Sequence, residues 1–170
     1  MCDLKFRRAS ASDMAEISDI YESARAFMRE TGNGSQWGDV YPPKELITSD
    51  IEGGNLYVAE ADRIEAVFAF FFEADPTYDH IEGEWLNDLP YCAVHRVASA
   101  GRVRGMLSKI MDFCFLHCDN IKNDTHENNA VMQHQLEKYG FSRCGTVYLE
   151  NGDPRIAYQM KNEPNKETDE

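Results

Sequence analysis

One stretch of this sequence combines basic residues with a turn and the start of a helix. Between Asp88 and Asp112 there is no acidic residue, although the chain as a whole is acidic. The basic residues of this window are Arg96, Arg102, Arg104 and Lys109. Free backbone N–H groups and the positive end of a helix dipole bind anions at such a place, and arginine side chains add charged donors. The window therefore predicts a phosphate or pyrophosphate site, although a solvated basic turn explains the pattern equally well. A Walker-type loop is excluded because no Gly-Lys-Ser/Thr occurs.

Two other groups of residues carry side chains that can bind metals. Cys114 and Cys118 are four residues apart, but they continue the apolar face of a predicted helix, and free cysteine packs like a small hydrophobe. His126 is close in sequence to Glu127 and His134, yet their spacing matches no familiar zinc site. Polar residues at a strand-to-helix turn instead satisfy the first N–H groups of the helix. We therefore expect no metal and keep a hydrolase built around His126 only as a minor alternative.

The charge of the chain bears on its partners. Seventeen basic and thirty acidic residues give a net charge of −13. Such a surface repels nucleic acid and anionic lipid, so neither is an expected partner. It would attract a cationic acceptor such as a polyamine or an amino sugar, although the acidity could serve solubility alone.

The length of 170 residues suits one domain. No apolar run approaches the roughly 20 residues of a membrane-spanning helix, and residues 1–8 lack the apolar stretch of a secretory signal. Five cysteines without disulfide-type spacing indicate reduced thiols. We expect a cytoplasmic protein with a domain at residues 1–161 and a disordered polar tail at residues 162–170.

Helical and strand patterns alternate along the chain, which predicts a sheet covered by helices. The predicted strands cover residues 4–7, 56–60, 64–72, 91–98, 121–124, 141–149 and 154–160. The predicted helices run from Ser10 or Ser12 to a break at residues 31–35, from Pro42 to Gly53, from Arg104 to Asp119, and from Asn128 or Asn129 to Gly140. Residues 64–72 are nearly all apolar, as in a central strand covered on both sides. The polar, turn-rich sequence of residues 73–89 predicts a structured loop.

Several segments, in their order, resemble the GNAT superfamily of N-acetyltransferases. Residues 102–107, Arg-Val-Arg-Gly-Met-Leu, follow a strand, open a helix and resemble the family's Gln/Arg-x-x-Gly-x-Gly/Ala motif. Residues 124–129 lie where the family has a strand and a helix beside the cofactor, and residues 138–141 resemble its Lys-x-Gly-Phe ending. Residues 144–148 and 155–158 look like its last hairpin. The resemblance covers nearly the whole chain.

This resemblance implies a fold and a cofactor. The fold is a single α/β (α+β) domain with a mixed, mostly antiparallel sheet of about seven strands, flanked by about four helices. Two parallel strands, ending near Ala98 and Asp124, would splay apart and hold the pantetheine arm of acetyl-CoA (CoA). The implied cofactor-binding residues are Val97, Ala98, Arg102, Val103, Arg104, Gly105, Met106, Leu107, Asn128 and Asn129.

Acyl transfer to an amine requires a base and oxyanion donors. By family likeness, the donors are backbone N–H groups near Val97 and Ala98. If Val97 points inward, strand alternation puts His95 on the same face, where it could take the ammonium proton directly or through water. A hydrogen-bonded core histidine explains His95 equally well. Glu82 and Glu84 are the next candidates for the base.

The leaving thiolate benefits from a proton, and its donor is open. Many family members have a Tyr four residues before the Gly of the Gly-Phe ending, where this chain has Leu136. Tyr91, Tyr139 or a water molecule could donate the proton instead.

The expected function is acetyl-CoA-dependent N-acetyltransfer to a primary amine of a small molecule or peptide, by direct attack through a tetrahedral intermediate. A non-catalytic acyl-CoA-binding module is the alternative, because Leu107 replaces a small residue of the motif and the usual Tyr is missing. Residues 73–89 and 34–41, with Trp37, are expected to shape the acceptor pocket. The sequence leaves homodimer formation open.

Overall fold

The computed structural model describes residues 3–163, which form one continuous sheet with flanking helices. The strands are β1 (Lys5–Arg8), β2 (Leu56–Glu60), β3 (Ile64–Phe71), β4 (Glu82–Gly83), β5 (Cys92–Ser99), β6 (Asn120–Thr125), β7 (Ser142–Tyr148) and β8 (Pro154–Lys161). The helices are α1 (Met14–Glu30), α2 (Gly34–Trp37), α3 (Lys44–Glu52), α4 (Met106–Phe115) and α5 (Ala130–Tyr139). Short 3-10 turns occur at Ala11–Asp13 and Pro76–Tyr78.

The strand order is β1-β2-β3-β5-β6-β8-β7-β4, and every neighbouring pair is antiparallel except β5 and β6. This confirms the predicted α/β class and the mixed, mostly antiparallel sheet with one parallel pair. The sheet ends at Lys161, and residues 164–170 of the predicted tail lie outside the described part of the chain.

Two short elements were not predicted from the sequence. Residues 34–37 form α2, which begins inside the expected break at residues 31–35, and β4 lies in the expected loop, where it pairs with β7. Gly83 and Gly145 allow this pairing, because a Cβ at either position would collide with the backbone of the opposite strand. The strand therefore fastens the loop of residues 73–89 to the sheet.

The core has a layer on each face of the sheet. Helices α4 and α5 cover one face, which we call the α4 face, where Phe68 and Phe70 of β3 pack against Ile110 and Met111. Helices α1 and α3 cover the other, the α1 face, where Val67 of β3 packs in the layer that contains Ile17 and Ile47. Residues 64–70 are all buried, so β3 is the central, doubly covered strand that its apolar sequence predicts.

The parallel pair β5 and β6 separates along its length. Only two residue pairs are in register, Cys92 with Ile121 and Ala93 with Lys122, and beyond them the strands diverge. The backbone of β5 after Ala93 therefore pairs with β3 on one side only. No helix in residues 3–163 is long and apolar enough to cross a membrane.

Candidate active site

A β-bulge interrupts β5 where the predicted site begins. Arg96 and Val97 together lie opposite Phe68, and Arg96 has a φ of 52°, a left-handed conformation that is uncommon outside glycine. Two contacts hold this conformation. The Arg96 guanidinium donates to both carboxylate oxygens of Asp50 in α3, at 2.8 and 2.9 Å, and the Tyr21 hydroxyl in α1 donates to the Arg96 carbonyl at 2.9 Å. The packing of α1 and α3 thus fixes the bulge.

The bulge overturns the expectation that His95 and Val97 share a face. Val97 packs with Val94 on the α4 face, whereas His95 pairs with Ala69 and lies on the α1 face. The reason is that an extra residue shifts the alternation of side chains by one. Ala98 then points back into the core of the α1 face. His95 and Val97 therefore lie on opposite faces of the sheet, at the place where β5 and β6 separate.

Two neighbouring cavities occupy this divergence. The larger has a volume of about 570 Å³ and is lined from both faces, by His95 and Asp124 on the α1 face and by Leu107 and Leu136 on the α4 face. The smaller, about 430 Å³, lies beside the turn that precedes α4. The residues that line both are Met28, Val97, Leu107, Asn129 and Met132. The shared residues make the two cavities adjacent parts of one cleft.

The turn before α4 has the geometry of an anion site. Gly105 precedes α4 with a left-handed φ of 67°, and a Cβ at this position would meet no atom within 4 Å, so the space in front of the turn is open. Val103, Arg104 and Met106 line the smaller cavity together with Gly105. The N–H groups of the first turn of α4 have no partner within the helix, and they can bind an anion.

The two arginines of this turn, Arg102 and Arg104, make different contacts. Arg104 is exposed, lines the smaller cavity and forms no ion pair within residues 3–163. Arg102 lines neither cavity; its Nε donates to Glu65 at 2.8 Å and its Nη2 to the Ile64 carbonyl at 2.9 Å. Glu65 is buried, so this pair ties the turn to β3. The structure thus brings Arg104, rather than Arg102, to the predicted anion site.

Leu107 and the two asparagines have distinct positions. The Leu107 side chain is buried in the α4-face core and forms part of the wall between the two cavities. Asn129 caps α5 by accepting from the Met132 N–H at 3.1 Å, and it lines both cavities. Asn128 is exposed and lines neither cavity. Of the two candidates, the structure brings only Asn129 to the cleft.

His95 lies between two carboxylates in the larger cavity. Its Nε2 is 2.8 Å from Oδ2 of Asp75, and its Nδ1 is 4.0 Å from Oδ2 of Asp124. The hydrogen bond from His95 lowers the pKa of Asp75, so this carboxyl is ionised at neutral pH. The Tyr78 hydroxyl donates to Asp124 at 2.6 Å, and burial raises the pKa of Tyr78 well above its ordinary value. His95 is thus part of a hydrogen-bonded cluster that faces open volume.

The other predicted catalytic side chains are not in the cavities. The Tyr91 hydroxyl accepts from the Asp75 N–H at 2.8 Å, which fixes the segment that carries Asp75, and burial raises the pKa of Tyr91. The Tyr139 hydroxyl donates to Asp112 at 2.8 Å, between α5 and α4. Glu84 is exposed in the loop of residues 73–89. None of the three lines either cavity.

Asp75, Tyr78 and Arg155 belong to this site but were not singled out by sequence reasoning. Asp75 and Tyr78 lie in the loop that was expected to shape the acceptor pocket, and the Asp75-Pro76 pair at its 3-10 turn is a local signal. No local signal predicts which residue Asp75 contacts, because His95 is 20 positions away. The expected absence of a metal is untested, and no group of metal-ligating residues occurs within residues 3–163.

The splayed parallel strands and the helix N-terminus beside their gap are features that the resemblance to N-acetyltransferases implies, and a comparison with solved structures supports that resemblance. No family model matches the sequence, and no curated protein matches it. A solved GNAT-family acetyltransferase from Streptococcus agalactiae 2603 is 32% identical, with a TM-score of 0.86, over 95% of this chain and 96% of that one. The chain therefore belongs to the GNAT family of acetyltransferases, which are acetyl-CoA-dependent enzymes.

More distant structures share the fold. A GNAT-family acetyltransferase from Listeria monocytogenes 4b F2365 is 18% identical with a TM-score of 0.68, over 94% of this chain and 95% of that one. The aminoglycoside acetyltransferase AAC(6')-Ib, solved with coenzyme A and kanamycin, is 17% identical with a TM-score of 0.63, over 94% of this chain and 95% of that one. The family consists of enzymes, which favours catalysis over the alternative of a non-catalytic binding module.

Proposed function

We propose that this protein transfers an acetyl group from acetyl-CoA to a primary amine of a small molecule or peptide. The observation that carries the proposal is the cleft through the sheet, which joins a candidate anion site at α4 to a cluster of ionisable groups around His95. A long thioester entering from one face could thereby meet an amine entering from the other. The reduced state expected of the cysteines fits a reaction in the cytoplasm.

The residues that are present fit coenzyme A. The diphosphate would bind the N–H groups of the first turn of α4, with Arg104 as the charged donor. The pantetheine arm would lie along β5 beyond Ala93, where that edge has no partner strand. Asn123 and Thr125 of β6 carry buried side-chain oxygens, Oδ1 and Oγ1, that have no hydrogen-bond partner within residues 3–163, and both residues line the larger cavity. Such unpaired buried atoms are expected to gain partners from a ligand or from water.

His95 is the proposed base. If the Nε2–H of His95 donates a hydrogen bond to Asp75, then Nδ1 carries the free lone pair. The 4.0 Å between Nδ1 and Asp124 leaves room for an ammonium nitrogen about 2.8 Å from both atoms. Asp124 would hold the ammonium, His95 would take its proton, and the free amine would attack the thioester carbonyl.

The tetrahedral oxyanion would be stabilised by backbone N–H groups of the bulge near Val97, because the bulge separates these groups from the regular ladder. The Tyr91 and Tyr139 hydroxyls are committed to Asp75 and Asp112. We therefore assign protonation of the thiolate to water. A thiol with a pKa of about 8.5 leaves readily as its thiolate at neutral pH, so no side-chain acid is needed.

The test is a thiol-release assay with acetyl-CoA against amino sugars, polyamines, amino acids and peptides, together with calorimetry with CoA. We expect CoA to bind and at least one amine class to give turnover. His95→Gln should lower kcat about 100-fold or more while the affinity for CoA is retained. His134→Gln is the matched control, because His134 is exposed and lines neither cavity. Absence of CoA binding would refute the proposal.

A further inference from the structure

Arg155 is a buried cation on the wall of the larger cavity. It lies in β8, its residue is only 6% exposed, and it lines the larger cavity but not the smaller one. Its single hydrogen bond within residues 3–163 goes from Nη1 to the carbonyl of its neighbour Pro154, at 2.9 Å. No carboxylate of the described chain lies within ion-pair distance of it.

A buried cation without a carboxylate partner is unexpected in a molecule with thirty acidic residues. A buried charge is normally paired, because removing it from water without a partner is costly. The half-buried Arg96 has such a partner in Asp50, and even the more exposed Arg102 binds Glu65. The guanidinium of Arg155 has five N–H donors, and most of them have no hydrogen-bond partner within residues 3–163.

The position of Arg155 assigns it to the acceptor rather than to CoA. Along β8, Ala157 pairs with Asp124, and Arg155 lies two residues further on the same face, roughly 7 Å along the strand. Arg155 is therefore on the α1 face with His95 and Asp124, whereas the candidate diphosphate site opens into the smaller cavity. The larger cavity thus carries carboxylates for an ammonium and, a short distance away, a cation for an anion.

We propose that Arg155 binds a carboxylate of the acceptor, so that the substrate is an amine that also carries a carboxylate group, as amino acids do. The planar guanidinium matches a carboxylate with two parallel hydrogen bonds, which favours this anion over others. The proposal rests on the acetyltransfer proposed above and specifies its acceptor.

The experiment compares pairs of acceptors that differ only in the carboxylate. Suitable pairs are lysine and cadaverine, ornithine and putrescine, phenylalanine and phenethylamine, and γ-aminobutyrate and propylamine. In at least one pair, the carboxylate-bearing member should have a kcat/KM about 10- to 100-fold higher. Arg155→Met should abolish this preference through KM, and Arg155→Lys should retain part of it. Arg143→Met is the matched control, since Arg143 is exposed and lines neither cavity.

Each outcome decides the proposal. Equal rates within all pairs in the unmodified protein, or a preference that persists in Arg155→Met, would overturn it, as would loss of acetyl-CoA affinity in that variant. If no amine of the panel reacts, calorimetry of the CoA-loaded protein with the N-acetylated members of each pair gives the answer. Heat only from the carboxylate-bearing products supports the assignment, and no heat from them overturns it. The proposed acetyltransfer fails separately, when CoA itself does not bind.

Discussion

At the scale of single residues, Arg102 and Arg104 show that equal charge in one turn does not mean equal role. Arg102 is held by Glu65 and by the Ile64 carbonyl, so moving it toward a ligand would leave the buried Glu65 carboxylate with only the more distant Arg63, at 3.9 Å. Arg104 is exposed at the cavity and has no such contact within the described chain. Affinity for CoA is therefore expected to depend on Arg104, and stability on Arg102.

We predict opposite effects for the two alanine variants. Arg104→Ala should weaken CoA binding about tenfold in calorimetry and leave urea unfolding unchanged, because a charge-assisted hydrogen bond is lost only in the complex. Arg102→Ala should lower the free energy of unfolding by about 1–3 kcal/mol and change the affinity for CoA less than about twofold. Equal losses of affinity in both variants would show that Arg102 leaves Glu65 to bind the cofactor.

At the scale of elements, the bulge of β5 depends on two helices that are distant in sequence. Asp50 of α3 and Tyr21 of α1 both bind Arg96, whose left-handed backbone would otherwise cost about 1–3 kcal/mol. The side chains of Arg96 and Asp50 are only 13% and 6% exposed, and this burial raises the pKa of Asp50 in spite of the Arg96 charge.

Asp50→Asn should lower the free energy of unfolding by about 3–5 kcal/mol, because Arg96 would stay buried without its counter-charge. The variant should also lose activity, since Val97 is positioned by the same bulge. Urea unfolding followed by circular dichroism measures the loss. Asp39→Asn is the control: Asp39 also pairs with an arginine, but its side chain is 88% exposed, and the change should stay within about 0.5 kcal/mol. Similar small losses in both variants would contradict this account.

The junction of β1 and α1 gives a pH-dependent prediction. Arg7 of β1 binds both carboxylate oxygens of Asp13, at 2.8 and 2.9 Å, and lowers the pKa of Asp13 from 3.8 to about 2. The folded pKa lies below the unfolded one, so the stabilisation is complete above about pH 4 and disappears as the pH falls through about 2.

Asp13→Asn should therefore lower stability by about 1 kcal/mol at pH 7. This figure is smaller than the pKa shift alone suggests, because the Arg7 side chain is 36% exposed and partly screened by solvent. In urea titrations at several pH values, the difference from the unmodified protein should shrink toward pH 2. Asp19→Asn, an exposed change in α1, should show no such trend. A constant difference across the range would contradict the assignment to this ion pair.

At the scale of the whole molecule, the cleft favours direct transfer between two substrates bound together. Its two cavities meet at residues shared by both, and no cysteine of the described chain lines either one. Burial raises the pKa of Cys92 and Cys114, so neither is a thiolate nucleophile at neutral pH.

We therefore predict sequential kinetics through a ternary complex. Initial rates measured over both substrates should give intersecting lines in double-reciprocal plots. Mass spectrometry after incubation with acetyl-CoA alone should find no acetylated protein. Parallel lines together with a stable acetyl-cysteine would instead indicate a covalent intermediate.

The sequence by itself determined the features that depend on neighbouring residues. The order of the main helices and strands, a cap at Asn128 or Asn129, the end of α5 at Gly140 and the glycine turn before α4 all follow from spacing within a few positions, because helix and strand periodicity and capping are local interactions. Together with the family resemblance, these features were sufficient to predict the fold, whereas the anion site at the turn before α4 stays a prediction.

The tertiary structure alone decided which side chains meet in the cleft. Asp75 contacts His95 from 20 positions away, Arg102 contacts Glu65 from 37, and Arg96 contacts Asp50 from 46. The bulge between His95 and Val97 could not be predicted either, because the residues that stabilise it lie in other elements. Chain folding sets such distant contacts, and it also decides that Arg155 has no carboxylate partner within residues 3–163 whereas Arg102 has Glu65.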